Sequence, residues 1–373
     1  MIYPKVGILY LTFATPEWQR DIDRALTSLE HISYPKERVE LICIESLSSA
    51  GHVKPWFEER WLPKSGQTLP SITYIWNDAV KGFSENNNIG FAKAKELGCD
   101  YIFLLNEDAE VDPGFLEPLV ARAEADEKIA YVQSLLLLGH DKQRVNSVGN
   151  AYHYLGLGYC EGYLWTREKA ELILEEKKKM NPDLEIGYFS GAAVLGRVSA
   201  IDKCGLFDPA FFLYHEDTDA SLQARLRGYK VVIEPTSIVY HYYEFVKTQV
   251  KKNYLIERNR WVLVLSLYRW WTLCLILPMM IVMEIGQFGF SLVRGWWCEK
   301  WRVYRDLCSP SFWRWIHDRR RRIQKERTID DKVLLSHAVC TIDFQGEDVK
   351  NPVLTYFGNP LMCAYWSIVK MLI

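Results

Sequence analysis

The sequence predicts an α/β fold, a mostly parallel open sheet flanked by helices, followed by a C-terminal helical region of different character. Three observations carry this expectation. Short apolar runs rich in branched residues alternate with helix-like stretches at the interval of βαβ units. At least one run, "YIFLLNEDAEVDPGF" (residues 101–115), stops at Asn106 and turns acidic, and the carboxyl ends of such strands are where an open α/β sheet keeps its ligand. From about Trp261 the composition changes to long apolar and basic stretches. With 373 residues the chain exceeds one average domain, and the expected division is 1–250 and 251–373.

Taken in order, Val6–Phe13 is a short apolar run that reads as the first strand. It is followed by a stretch with Trp18, Ile22, Ala25, Leu26 and Leu29 at helical spacing. "VELICIES" and "SITYIW" read as strands, "NIGFAKAKELG" as a helix and "DYIFLLN" as the next strand. Beyond Leu116 come a helix, the strand "IAYVQSLLLL", a loop from Gly149 to Gly162 and a charged helix around Glu168–Lys179. "YFSGAAVLGR" and "YKVVIEPTSIVYH" read as further strands, with "YHEDTDASLQARLRGY" opening a helix between them.

The formal charge of −2 and the 49% apolar content name no partner, and no nucleic acid is expected. Nine cysteines stand as singletons without a C-x-x-C pair, so neither a zinc knuckle nor a disulfide framework is suggested, and a reducing compartment is expected. "MIYPKVGILYLTF" lacks the basic start and cleavage site of a signal peptide, so the N-terminal half is expected to stay where it is made.

In the C-terminal region, "WVLVLSLYRWWTLCLILPMMIVMEIGQFGFSLV" is nearly all apolar but is interrupted by Arg269, Pro278, Glu284 and Gln287. Between Arg294 and Arg327 eleven Lys/Arg face four acids, and eight of the fourteen tryptophans lie between Trp261 and Trp315. This composition points to helices held at the cytoplasmic face of a bilayer by Trp anchors and anionic lipid, peripheral or monotopic. Trp271–Phe290 is long enough to span, at the cost of a central Glu284. An amphipathic dimer interface is the alternative, so a homo-oligomer stays open.

Two acidic groups could carry chemistry. Asn106 and Asp108 place side-chain oxygens at i and i+2 after a buried strand, a pattern suited to Mg2+ or Mn2+, which take oxygen ligands and share them with substrate phosphates. A solvated Asp-Pro-Gly turn is the plain alternative. "YHEDTD" supplies Glu216, Asp217 and Asp219 at a helix start, suited either to capping or to a general base. His241 ends a strand, where a metal or phosphate contact competes with a structural role. "GFSENNNIGFAKA" has neither the G-x-G-x-x-G nor the P-loop spacing.

The ordered set "LICIESLSS", "GFSENNNIGFAKAKELGCDYIFLLNEDAEVDPGFL", "YFSGAAVLGRVSAIDKCGLFDPAFFLYHEDTDASLQARLRGYKV" and "IVYHYYE" resembles family 2 glycosyltransferases, inverting enzymes of the GT-A fold, in particular their rhamnosyltransferase-like branch. The tail resembles it too, so the likeness covers nearly the whole chain. It implies that Glu45 and Asn88 contact the nucleoside, that Asn106 and Asp108 occupy the D-x-D position with Asp108 on the metal, that Asp217 is the general base with Glu216 beside it, and that His241 approaches the metal or diphosphate. Glu45 departs from the usual Asp, Asn106 from the first Asp, and Gln223 from an Arg that often follows.

The implied activity is metal-dependent transfer of a sugar, rhamnose among the options, from a nucleotide-diphosphate donor to a hydroxyl of a lipid-linked or cell-surface saccharide. Rival expectations are a polyprenyl-phosphate glycosyltransferase, a nucleotidyltransferase, whose Gly-rich signature is missing from "VGILYLTFATPEW", and a non-catalytic membrane scaffold.

Overall fold

A computed structural model describes residues 3–14, 17–48, 51–242, 250–343 and 352–373. Ser49 of the second-strand motif and Tyr243 and Glu244 of "IVYHYYE" lie outside the described residues. The chain forms two compact units. One comprises Met1–Asn150, Cys160–Ala224 and Tyr229–Tyr243, the other Ala151–Tyr159, Arg225–Gly228 and Glu244–Ile373.

The first unit opens with β1 (Val6–Thr12), α1 (Trp18–Leu29), β2 (Val39–Ser46), α2 (Lys54–Arg60), β3 (Ser71–Asn77), α3 (Phe83–Glu96) and β4 (Tyr101–Leu105). It continues through β5 (Ala109–Val111), α4 (Leu116–Glu124), β6 (Ile129–Leu138) and β7 (Val145–Ser147). β8 (Asn150–Tyr152) and β9 (Gly158–Cys160) pair as a separate ribbon, before α5 (Arg167–Met180), β10 (Ala193–Arg197), α6 (Val198–Cys204), α7 (Glu216–Leu226) and β11 (Lys230–His241).

The main sheet runs β3-β2-β1-β4-β10-β6-β11-β5, with β7 beside β6. Its expected parallel character holds through β3-β2-β1-β4 and again between β6 and β11. β10 lies antiparallel between those blocks, and short β5 and β7 are antiparallel too, which makes the sheet mixed. Both faces are covered. Ile8 and Tyr10 of β1 join Ile22, Leu26 and Leu29 of α1 in one core, while Leu9 and Leu11 join Ala94 of α3 in the other. This is the period-two alternation of a strand buried on both sides. At Gly90 of α3 a Cβ would press on Ile44 and Leu9 at 2.9–3.1 Å, so the glycine lets the helix lie close on the strands.

Apart from most of the β8–β9 ribbon, which falls in Ala151–Tyr159, the second unit is helical: α8 (Val250–Leu267), α9 (Trp270–Arg294), α10 (Trp297–Leu307), α11 (Pro310–Glu326), α12 (Asp331–Leu334) and α13 (Asn359–Leu372). The long apolar stretch is therefore broken after Leu267, and Trp271–Phe290 falls within α9, which is long and apolar enough to cross a membrane by length and composition. Glu284 does not meet solvent or lipid alone. It pairs with Arg260 and with Lys300 (2.8 Å) and accepts the Tyr304 hydroxyl (3.0 Å), while Arg260 and Lys300 also hold Glu257. The buried Glu257 and the half-buried Glu284, facing the two buried bases, remove the lone charge that made Glu284 look costly. The solvent side of α9 is apolar instead, with Trp271, Ile281, Val282, Ile285 and Val293 all at least half exposed. The cysteine expectation is corrected here: Cys340 and Cys363 form a disulfide, with Cα atoms 4.8 Å apart. They stand 23 residues apart, a separation without a recognisable motif.

Candidate active site

β4 delivers the first acidic group. The Asn106 N–H donates to the Ala192 carbonyl (3.1 Å) and the Asn106 carbonyl accepts from Ala109 (3.2 Å), so the chain turns tightly from β4 into β5 with Glu107 and Asp108 at the tip. The expected Asp-Pro-Gly turn follows β5, where Asp112 accepts from the backbone of Phe115 (3.1 Å) and its side chain from Gly114 (3.3 Å). Acids and turn are thus separate features.

β5 pairs with β11 so that Ala109 opposes His241. That register brings the Asp108 carboxylate to the histidine: Oδ1 stands 3.2 Å from His241 Nε2. The backbone reinforces it through the Tyr242 N–H, which donates to the Asp108 carbonyl at 2.9 Å. Burial raises the Asp108 carboxyl, but the neighbouring His241 and its hydrogen bond outweigh burial and hold it below the usual range. Glu107 goes the other way. Burial, helped by the charges of Asp108 and Asp21, pushes it up to about 8 even though it accepts the Phe13 N–H at 2.9 Å.

Behind His241 lies Asn146, whose Oδ1 is 3.0 Å from the ring Nδ1. Nothing in the sequence around Val145–Ser147 marks this residue. It is placed by a register shift between β6 and β7, where Leu136 opposes Ser147 and Leu137 opposes Val145, leaving Asn146 as the extra residue of a bulge.

The Asp108–His241 pair fits a divalent cation. Asp108 Oδ1 and His241 Nε2 are oxygen and nitrogen donors of the kind such a cation takes, and they stand 3.2 Å apart. Among the described residues no cluster of three or more His, Cys, Asp or Glu forms a metal cage. The pair suits a cation that completes its shell with phosphate oxygens and water.

The second acidic group begins α7. Glu216 is buried and Asp217 half-buried. Asp217 Oδ1 accepts the Thr218 N–H (2.7 Å), and the carboxylate also takes an N–H from Gly191. Burial raises both carboxyls, Glu216 further because of the Asp217 charge, while the N–H donors partly offset the effect on Asp217. Glu216 Oε2 is buried without a hydrogen-bond partner among the described residues. The chain enters α7 through strain: Phe212, Tyr214 and His215 all have φ between +62° and +69°. Each such non-glycine position costs on the order of 1–3 kcal/mol and is usually kept for function. A Cβ on Gly82 would collide with the Phe212 carbonyl, so that glycine makes room for the strained loop.

The two acidic groups are joined by adjacent residues. Ala192 accepts from Asn106, and Gly191 donates to Asp217. Gly191 is held in turn because its neighbours Phe189 and Ser190 donate to Ser221 Oγ (3.1 Å) and Gln133 Oε1 (2.7 Å). The sequence singled out both acid groups but not this bridge, since "SGA" has no recognisable motif.

The remaining expected residues are engaged structurally. Glu45 is fully buried; Oε1 accepts from Val53 N (2.6 Å) and Oε2 from the Tyr74 hydroxyl. Asn88 pairs reciprocally with the Phe207 backbone, donating to its carbonyl (2.8 Å) and accepting from its N–H (3.1 Å). Gln223 donates to Asp219 Oδ2 at 2.7 Å. The carboxyl ends of β2 and β3 are tied by Asn86, whose Oδ1 accepts from Ser46 (2.8 Å) and Asn77 (3.1 Å).

The sequence profile of glycosyl transferase family 2 matches residues 17–205, a little over half of the chain. The chain belongs to glycosyl transferase family 2. The matched segment runs from α1 to just past α6, so it contains Asn106 and Asp108, while Asp217 and His241 lie beyond it. Two curated Mycobacterium tuberculosis proteins, from strains CDC 1551 / Oshkosh and ATCC 25618 / H37Rv, each named N-acetylglucosaminyl-diphospho-decaprenol L-rhamnosyltransferase, are 21% identical over 190 residues. The match covers 47% of this chain and 60% of theirs. Among solved structures, that of GalNAc-T7 with UDP, GalNAc and Mn2+ superposes with a TM-score of 0.55 at 18% identity, over 70% of this chain and 48% of that one. The chain thus has the GT-A fold, a mixed sheet with helices on both faces.

Proposed function

We propose that this glycosyltransferase moves a sugar, with inversion, from a nucleotide-diphosphate donor to a hydroxyl of a lipid-linked or cell-surface saccharide. The observation that carries the reading is the bonded bridge Asn106–Ala192–Gly191–Asp217, which joins a diphosphate side to a base side. Asp108 and His241 would hold a divalent cation, and Asn106 stands beside them as a neutral donor-side residue. When bound, the cation supplies Lewis-acid stabilisation of the departing diphosphate. The Mn2+ in the GalNAc-T7 structure supports this assignment.

Asp217 takes the proton of the acceptor hydroxyl. Its raised proton affinity improves it as a base near neutral pH, and the N–H donors from Thr218 and Gly191 fix its oxygens. Glu216 lies beside it on the acceptor side. Glu45 and Asn88 act on the nucleoside side, where their bonds to Tyr74 and to the Phe207 backbone shape the wall.

The names of the mycobacterial relatives support rhamnose as the sugar and a prenyl-linked saccharide as the acceptor. The exposed apolar side of α9, with the basic stretch of α10 and α11, supports a monotopic or peripheral seat on the cytoplasmic face of a membrane. Transferase assays with Asp217→Asn test the reading. Full activity in that variant would remove the base and with it this mechanism.

A further inference from the structure

We propose that Asn146 is a positioning residue that sets the tautomer of His241 so that Nε2 is available to a divalent cation at the Asp108–His241 pair. This rests on the metal-dependent reading above. A neutral imidazole carries one N–H. With the proton on Nδ1 it donates to Asn146 Oδ1 across 3.0 Å, and the Nε2 lone pair faces the space beside Asp108 Oδ1. With the proton on Nε2 the ring donates to Asp108 instead, and that nitrogen cannot bind metal. The acceptor behind Nδ1 decides between these states, which is how groups behind metal-bound histidines ordinarily work.

Two independent features show that the site is built for this contact. The bulge at Asn146 gives β7 one residue more than β6 needs. Bulges gather beside active sites because they re-aim a side chain. Here the side chain reaches His241, which sits next to β6 on the other side, opposite Leu138. In addition, Asn146 is only 2% exposed, yet its Nδ2 has no hydrogen-bond partner among the described residues. A buried donor left unpaired is a cost that folding alone gives no reason to keep. An aspartate at this position can accept the same Nδ1–H, and a leucine cannot.

The test uses the full chain as wild type, Asn146→Asp and Asn146→Leu. Free Mn2+ is counted by electron paramagnetic resonance during titration with MnCl2, alone and with UDP, GDP or dTDP, and folding is checked by thermal unfolding in chelator. Asn146→Leu is expected to weaken Mn2+ binding by about 10- to 100-fold, with Asn146→Asp restoring it to within a few-fold of wild type. Nitrogen-15 spectra of labelled histidine with Mg2+ are expected to show His241 protonated at Nδ1 in wild type and at Nε2 in the leucine variant. Equal Mn2+ binding by wild type and Asn146→Leu would overturn the proposal, as would an unchanged tautomer. Wild type that binds no Mn2+ under any of these conditions would overturn the metal reading itself. Should Asn146→Leu fail to fold, Asn146→Ala replaces it with the same expected outcomes.

Discussion

His241 Nε2 stands 3.2 Å from Asp108 Oδ1, although 133 positions separate the two residues in the chain. The pairing of β5 with β11 places them, and the Tyr242 N–H bond to the Asp108 carbonyl holds the turn. If the pair is the cation site, chelator abolishes sugar transfer and Mn2+ or Mg2+ restores it. His241→Ala then raises the metal concentration for half-maximal activity by at least about tenfold. Titrating metal back into chelated wild type and variant checks this.

Asp217→Asn keeps the shape and most hydrogen bonds of the carboxylate but not its basicity. Turnover should fall by roughly 10²–10⁴, the usual contribution of a general base, with nucleotide affinity unchanged. The sign of the pH effect follows from its raised proton affinity. Asp217 works only when ionised, so activity falls as pH drops through its folded-state value, and the acid limb of kcat/KM should lie above the ordinary aspartate value of about 3.9. An acid limb at or below that value would show that burial does not tune this carboxyl.

Gly82 allows the Phe212 carbonyl to approach, and the loop from Phe212 to His215 carries three strained residues into α7. Gly82→Ala should cost about 1–3 kcal/mol of stability, as overpacking does. Its larger effect should be on turnover, because the atom displaced is backbone leading to Asp217. Denaturant midpoints and steady-state rates on one preparation separate the two effects.

The exposed apolar side of α9 should seat the protein on a bilayer. Ile285 is 70% and Val293 83% exposed, so Ile285→Glu with Val293→Glu disturbs little packing. The double variant is expected to lose most of its co-flotation with anionic vesicles while its melting temperature stays near wild type. Equal flotation would remove α9 as the contact surface.

Much of the parallel half of the sheet was legible because its signals are local. Ile22, Ala25, Leu26 and Leu29 repeat at helical spacing, and all four form the buried face of α1. The acid-ended strand β4 could likewise be read from Leu105 to Asp108. What could not be read depends on partners far along the chain. "AAVLGR" reads as a strand in either direction, and only its pairing with Leu105 and Gln133 shows that β10 is antiparallel. Phe212, Tyr214 and His215 are bulky residues that give no sign of positive φ. Glu284 looked isolated because Arg260 stands 24 residues before it, and Asn146 carries no mark at all without the bulge.

The most direct test of a metal-assisted nucleotide-sugar site is thermal unfolding of wild type and Asp108→Ala with UDP, GDP or dTDP, each with Mn2+, Mg2+ or chelator. A ligand that binds only the folded state raises the unfolding temperature. The account predicts a rise with one nucleotide, present with metal, lost in chelator and lost in Asp108→Ala. A rise that survives both chelator and Asp108→Ala, or no rise with any nucleotide, would contradict it.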